Sequence, residues 1–114
     1  GKAPRLPLCK YFSRDRDALL DDIRHCFSDG VFGPGWDSSG PPPAEGLMRE
    51  PLALLLPHGG YCNSGYVAAH GFRLLAGRQV SLAVIVGNNH CSWHRVALCD
   101  QAWRTPLGTS EPER

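Results

Sequence analysis

The chain has 114 residues, enough for one domain, and a compact domain of this size buries roughly two-thirds of the surface its unfolded chain exposes. A formal net charge of +1 without Lys/Arg runs excludes the electrostatic footprint of a nucleic-acid binder, and no stretch of about 18 apolar residues could cross a bilayer. With no apolar core of signal-peptide length near the N-terminus, the expectation is a soluble, cytoplasmic protein without nucleic-acid or membrane partners.

In chain order, Ser13 or Asp15 can cap a helix over residues 15–28, in which Leu19, Leu20, Ile23, Cys26 and Phe27 recur at helical spacing and Asp29-Gly30 supplies the stop. Residues 30–50 are rich in Gly and Pro and predict a loop or insert with no regular element. Leu52 to Leu56 and Ser81 to Val86 are continuous apolar runs that suit strands buried on both faces. Between them, residues 65–76 carry Val67, Ala68, Phe72, Leu75 and Ala76 at helical spacing, with Gly77 placed to end the helix. A strand, helix, strand unit of this kind is almost always a right-handed crossover with parallel strands. The expected fold class is therefore α/β, a mostly parallel sheet with flanking helices.

Both parallel strands then end at one edge of the sheet, each in a turn that carries a histidine, His58 after the first and His90 after the second. Ligands bind outside the carboxyl ends of strands in open parallel sheets, and neutral imidazole is the commonest protein ligand for first-row metals. Spacing alone leaves two readings of equal standing, a pair of metal ligands or two histidines that hydrogen-bond within their turns. Cys91, Cys62 and Asp100 are candidate third ligands, none of them compelling. Tyr61, Ser64, Cys91 and Trp93 are candidate pocket residues, His94 could line the same pocket, Trp103 could help wall it with Tyr61 and Trp93, and the turn before the second helix offers amides to an anion. His25 and His70 lie on helices, where a structural role is expected. The five cysteines, Cys9, Cys26, Cys62, Cys91 and Cys99, are odd in number and lack CxxC spacing, so reduced thiols are expected rather than a disulfide framework or a zinc knuckle.

Three motifs in one order resemble the Memo family. PHGGYCNSGYVAAHGF is similar to its P-H-A-G-Y-x-Y-S-G-x-x-A-A-x-x-Y segment, VGNNHCSWHRVAL to its strand ending in G-P-x-H-H, and WRTPLG to W-x-T-P-L-G. The opening CKYFSRDRDALLDDI resembles the family's G-x-[FW]-Y-P followed by a helix. The resemblance implies part of a class III extradiol dioxygenase-like fold, its N-terminal half, in a single domain over 1–114. It places His58 and His90 on the family's two N-terminal ligands to a mononuclear iron or copper ion. A redox or dioxygenase-like role follows, with links to cell-motility signalling in animal members and to the B protein of the AmmeMemoRadiSam system. Departures from the pattern include Asn63, Asn88 and Cys91, the last standing where the family has its second histidine.

Family members are longer, and their remaining ligand, a cysteine, lies in a later segment that nothing here matches. The expectation is a C-terminally truncated fragment or isoform, or else a chain in which Cys91 has taken a ligand position. A partial sheet would leave an open edge prone to self-association. Two further functional readings accompany the metal-dependent one: a non-catalytic module that binds a signalling protein or peptide in the same cleft, and an inactive truncated isoform.

Overall fold

The computed structural model describes residues 11–41, 51–90 and 96–113. Cys9, residues 42–50 of the Gly/Pro-rich segment, Cys91, Trp93 and His94 lie outside them. Two compact units divide the chain, one running to Arg78 and the other starting at Gln79.

The first unit opens with helix α1, Arg16–Ser28. Asp15, in extended backbone at φ −80° and ψ 131°, caps it by accepting a hydrogen bond from the Ala18 N–H at 2.8 Å. Such a cap satisfies one of the four amide donors that a helix start leaves without an intrahelical partner. The apolar stripe read from the sequence is the inward face: Leu19 and Cys26 are buried, and Leu20, Ile23 and Phe27 are partly so.

Asp29 ends α1 and builds the turn that follows. Its N–H donates to the His25 carbonyl at 3.0 Å, and its Oδ2 accepts from the N–H groups of Val31, Phe32 and Gly33 at 3.2, 2.7 and 3.1 Å. The chain then folds back, with the Trp36 N–H on the Phe27 carbonyl at 2.8 Å and the Trp36 ring edge-on to Phe27 at 5.5 Å. Residues 30–41 thus contain no helix or strand, as composition predicts, but their first part is fixed by hydrogen bonds.

These bonds, those from Phe32 and Gly33 foremost, hold the Asp29 carboxyl below its ordinary value of 3.8. A carboxyl whose folded pKa is depressed contributes stability that is present above its unfolded pKa and lost as pH falls through the folded one. The amide shifts of Val31, Phe32 and Gly33 are therefore expected to titrate together with a midpoint below 3.8, and not at all in Asp29→Ala. A shared midpoint at or above 3.8 in the native chain would contradict this arrangement.

The second helical segment begins earlier than periodicity predicts. A π turn, Tyr61–Gly65, leads into helix α2, Tyr66–Phe72, and a 3₁₀ turn, Arg73–Leu75, completes it. Gly77 ends the segment at φ +73°, a left-handed conformation that glycine adopts without steric cost. Helix α2 packs on α1 and adds Ala69 to the buried core of Leu19 and Cys26. Gly65, just before α2, lies close against α1: a Cβ there would meet the Cys26 Sγ at 2.7 Å and the Tyr61 ring at 3.1 Å. The side chain of Leu56 lies against Gly71 and ties the preceding apolar run to α2.

That run, Leu52 to Leu56, is not a strand, and neither is Ser81 to Val86 in the second unit. Leu55 is fully exposed, and Ile85 and Val86 are 92% and 91% exposed. The expected parallel pair is thus not among the described elements. A strand exists only where another chain segment accepts and donates its ladder hydrogen bonds, and an apolar run cannot supply those by itself. The sheet found among the described residues is antiparallel and lies in the second unit: β1, Trp103–Thr105, pairs with β2, Gly108–Ser110, in the register Trp103↔Ser110, Arg104↔Thr109, Thr105↔Gly108. Thr105-Pro106-Leu107-Gly108 makes the turn, with Pro second and Gly fourth as a type I turn favours, and the Leu107 N–H donates to Thr105 Oγ1 at 3.2 Å. No helix among the described residues is long and apolar enough to cross a membrane.

Candidate functional site

His58 stands exposed between Leu56, which is held on α2, and a turn organised by one carbonyl. The Gly60 oxygen accepts from the N–H groups of Asn63 and Ser64, both at 3.0 Å, and from the Ser64 hydroxyl at 3.4 Å. Ser64 Oγ also lies against Gly59, where a Cβ would meet it at 2.6 Å, so a side chain there would turn the hydroxyl away. From the other side, the Tyr61 N–H donates at 3.0 Å to the carbonyl of Tyr11, a residue at the positive φ of 48°. The structure therefore gathers His58, Tyr61 and Ser64 around one fixed turn.

In this turn the Asn63 and Ser64 amides are donated to the Gly60 carbonyl, and the Tyr61 amide to that of Tyr11. What the turn offers is a rigid base for the residue that precedes it.

Tyr61 and Ser64 have different surroundings. The half-buried Tyr61 side chain lines a cavity of about 240 Å³ between α1 and α2, together with Ile23, Phe27, Ala68 and Phe72. Burial, and then the proximity of Cys26, push its phenol above the ordinary value of 10.0. Ser64 faces the His58 side of the turn through Gly59.

His90 belongs to the second unit, where it is exposed immediately before the undescribed residues 91–95. Asp100 and Trp103 are also exposed in that unit. Among the described residues no three His, Cys, Asp or Glu side chains gather in the way a metal ion requires. In donor chemistry, His58 and His90 suit a first-row ion, since both imidazoles stand at the surface and neither is packed into the core.

The two other described histidines have structural surroundings. His70 Nε2 lies 3.0 Å from the Phe32 carbonyl and links α2 to the Asp29 turn, while the His25 ring packs edge-on to Tyr66 at 5.7 Å. A grouping that the sequence does not announce lies close by. Cys26, read as one apolar position of α1, shares a small cavity with Asp22, His25, Tyr61, Cys62 and Tyr66. The signal for it was limited to Asp22, His25 and Cys26 at helical spacing, and the partners arrive through tertiary packing.

Comparison with known proteins accords with the three motifs. The family model for "Memo-like protein" matches residues 9–114. A MEMO1 family protein of Thermotoga maritima is 40% identical over 102 residues, which cover 87% of this chain and 36% of the relative. A MEMO1 family protein of Methanocaldococcus jannaschii is 36% identical over 103 residues, 86% of this chain and 34% of that protein. The chain thus spans about a third of the length of these relatives. No solved structure matches it. A family match across nearly the whole chain, running through the turns that carry His58 and His90, establishes that this chain belongs to the Memo-like protein family.

Proposed function

We propose that the chain supplies two imidazole ligands, His58 and His90, to a mononuclear iron or copper site of a Memo-like redox protein. The observation that carries this reading is the turn after His58. Three hydrogen bonds to the Gly60 oxygen and the engaged Tyr61 amide hold the backbone beside the histidine, while the imidazole itself stays exposed. Preorganised presentation of this kind lowers the entropy lost when a ligand side chain is fixed by a metal. Bound there, the ion would supply redox chemistry, and Ser64, next to Gly59, would place a hydroxyl on the same side of the turn.

The same reading carries the finer fold assignment. In it Leu52 to Leu56 and Ser81 to Val86 are neighbouring parallel strands of a larger sheet, which brings the turns after them to one edge. Leu55 in the first unit and Ile85 and Val86 in the second are each exposed, which leaves these apolar side chains open to cover by further strands and supports this. A third ligand would come from outside the described residues, and Cys91 is the candidate within the chain.

Anaerobic titration of the 114-residue chain with Fe(II), and separately with Cu(II), tests the proposal. His58→Ala and His90→Ala should each weaken binding by about 10- to 100-fold or more, the scale on which even outer partners of a metal site act. Unchanged affinity in the double variant would overturn it.

A further inference from the structure

The small cavity between α1 and the π turn brings two thiols together from residues far apart in sequence. Cys26 is 5% exposed, and its Sγ donates to the Tyr61 carbonyl at 3.9 Å. Tyr61 is joined directly to Cys62, whose side chain is partly exposed and lines the same cavity of about 40 Å³. The Cys62 thiol donates to Asn63 Oδ1 at 3.3 Å, a contact from a neighbouring surface residue that a rotation can exchange. Both cysteines, with Cys99, are reduced.

We propose that Cys26 and Cys62 form a reversible redox pair, oxidised by peroxide to a disulfide that staples α1 to the turn after His58. The two thiols differ in access, and this sets the order of events. Peroxide first reaches the partly exposed Cys62, whose sulfur is oxidised to the sulfenic acid as the peroxide O–O bond breaks and one water leaves. The buried Cys26 sulfur then attacks the Cys62 sulfur, the S–OH bond breaks, and a second water carries away the oxygen and the two protons. Two thiols and one hydrogen peroxide thus give one disulfide and two waters. A thiol such as dithiothreitol reverses the reaction.

Cys26 suits the resolving role. Burial first, and then the carboxylates of Asp22 and Asp29, push its thiol up, which protects it from direct oxidation; its attack on the Cys62 sulfenic acid passes through loss of that proton, which leaves with the second water. A disulfide needs Cα atoms within about 7 Å; Cys26 Sγ contacts the carbonyl of the residue before Cys62, and both cysteines line the same cavity. The bond would be set beside Gly65, where a Cβ would meet the Cys26 Sγ. This inference rests on the cavity alone and stands apart from the metal reading.

Treatment of the metal-free native chain with hydrogen peroxide, followed by alkylation in denaturant and peptide mapping without reduction, tests it. The expected result is loss of both alkylatable thiols at 26 and 62 and a peptide pair linked through them. The same linkage should appear in the triple variant Cys9→Ser/Cys91→Ser/Cys99→Ser, which leaves α1 and the π turn untouched, and oxidation in urea should instead give the wild-type chain a mixture of pairings. Cys62→Ser should leave Cys26 alkylatable after the same treatment. Recovery of both thiols from the oxidised native chain, or preferential linkage of either to another cysteine, would overturn the proposal.

Discussion

Replacing Gly65 with valine is expected to destabilise the first unit more than any surface substitution on either helix. The glycine sits at φ −58° and ψ −38°, ordinary helical backbone, so its presence there is not a matter of conformational freedom. It is a matter of space. A Cβ at this position would lie 2.7 Å from the Cys26 Sγ and 3.1 Å from the Tyr61 ring. Glycine in helical backbone costs about 0.5–1 kcal/mol relative to alanine, so propensity favours substitution. Overpacking a close contact costs about 1–3 kcal/mol and outweighs it. For a unit of this size, each kcal/mol lowers the melting temperature by roughly 4–8 °C.

A double-mutant cycle separates the contact from other causes. Gly65→Ala alone should be destabilising, whereas in a Cys26→Ala background, which removes the opposing sulfur, most of the penalty should vanish. The coupling would then fall in the range of about 0.5–3 kcal/mol found for residues in direct contact. Additive effects, read from thermal or urea unfolding, would mean that α1 and the π turn do not meet at this point.

The same contact shows where sequence reasoning succeeds and where it stops. Helix α1 is legible because its determinants are local: Asp15 caps it, the spacing of Leu19, Ile23, Cys26 and Phe27 sets its inner face, and Asp29 ends it. Gly77 is legible for the same reason. The π turn Tyr61–Gly65 is not, since nothing in YCNSG distinguishes it from an ordinary helix start until Cys26 and Tyr11 are brought against it. The thiol pair fails for the same reason, as Cys26 and Cys62 meet only through packing.

The apolar runs differ again. Leu52 to Leu56 and Ser81 to Val86 have strand-like composition, yet their ladder partners are supplied by other segments, and within the described residues the hairpin β1–β2 is the pairing that forms. That hairpin was present in the sequence as Thr105-Pro106-Leu107-Gly108, a turn signature that a motif match to WRTPLG passes over. Of the candidate site, His58 and its turn were legible because proline, histidine and two glycines follow one another in the chain. The hydrogen bonds that fix the turn were not, because they depend on where the Gly60 and Tyr11 carbonyls come to lie.

The second large effect concerns the metal. If His58 and His90 are ligands, a single Cu(II) bound to the chain must carry two imidazoles, and each histidine must account for one. Affinity reports their importance but not their contact with the ion, because a substitution can act through the fold. Pulsed electron paramagnetic resonance of the copper-loaded 114-residue chain reads the contact itself, since the remote nitrogen of each bound imidazole modulates the copper signal. The account predicts modulation from two imidazoles in the native chain, from one in His58→Ala and in His90→Ala, and from none in the double variant. Two imidazoles persisting in the double variant, or none in the native chain, would contradict it.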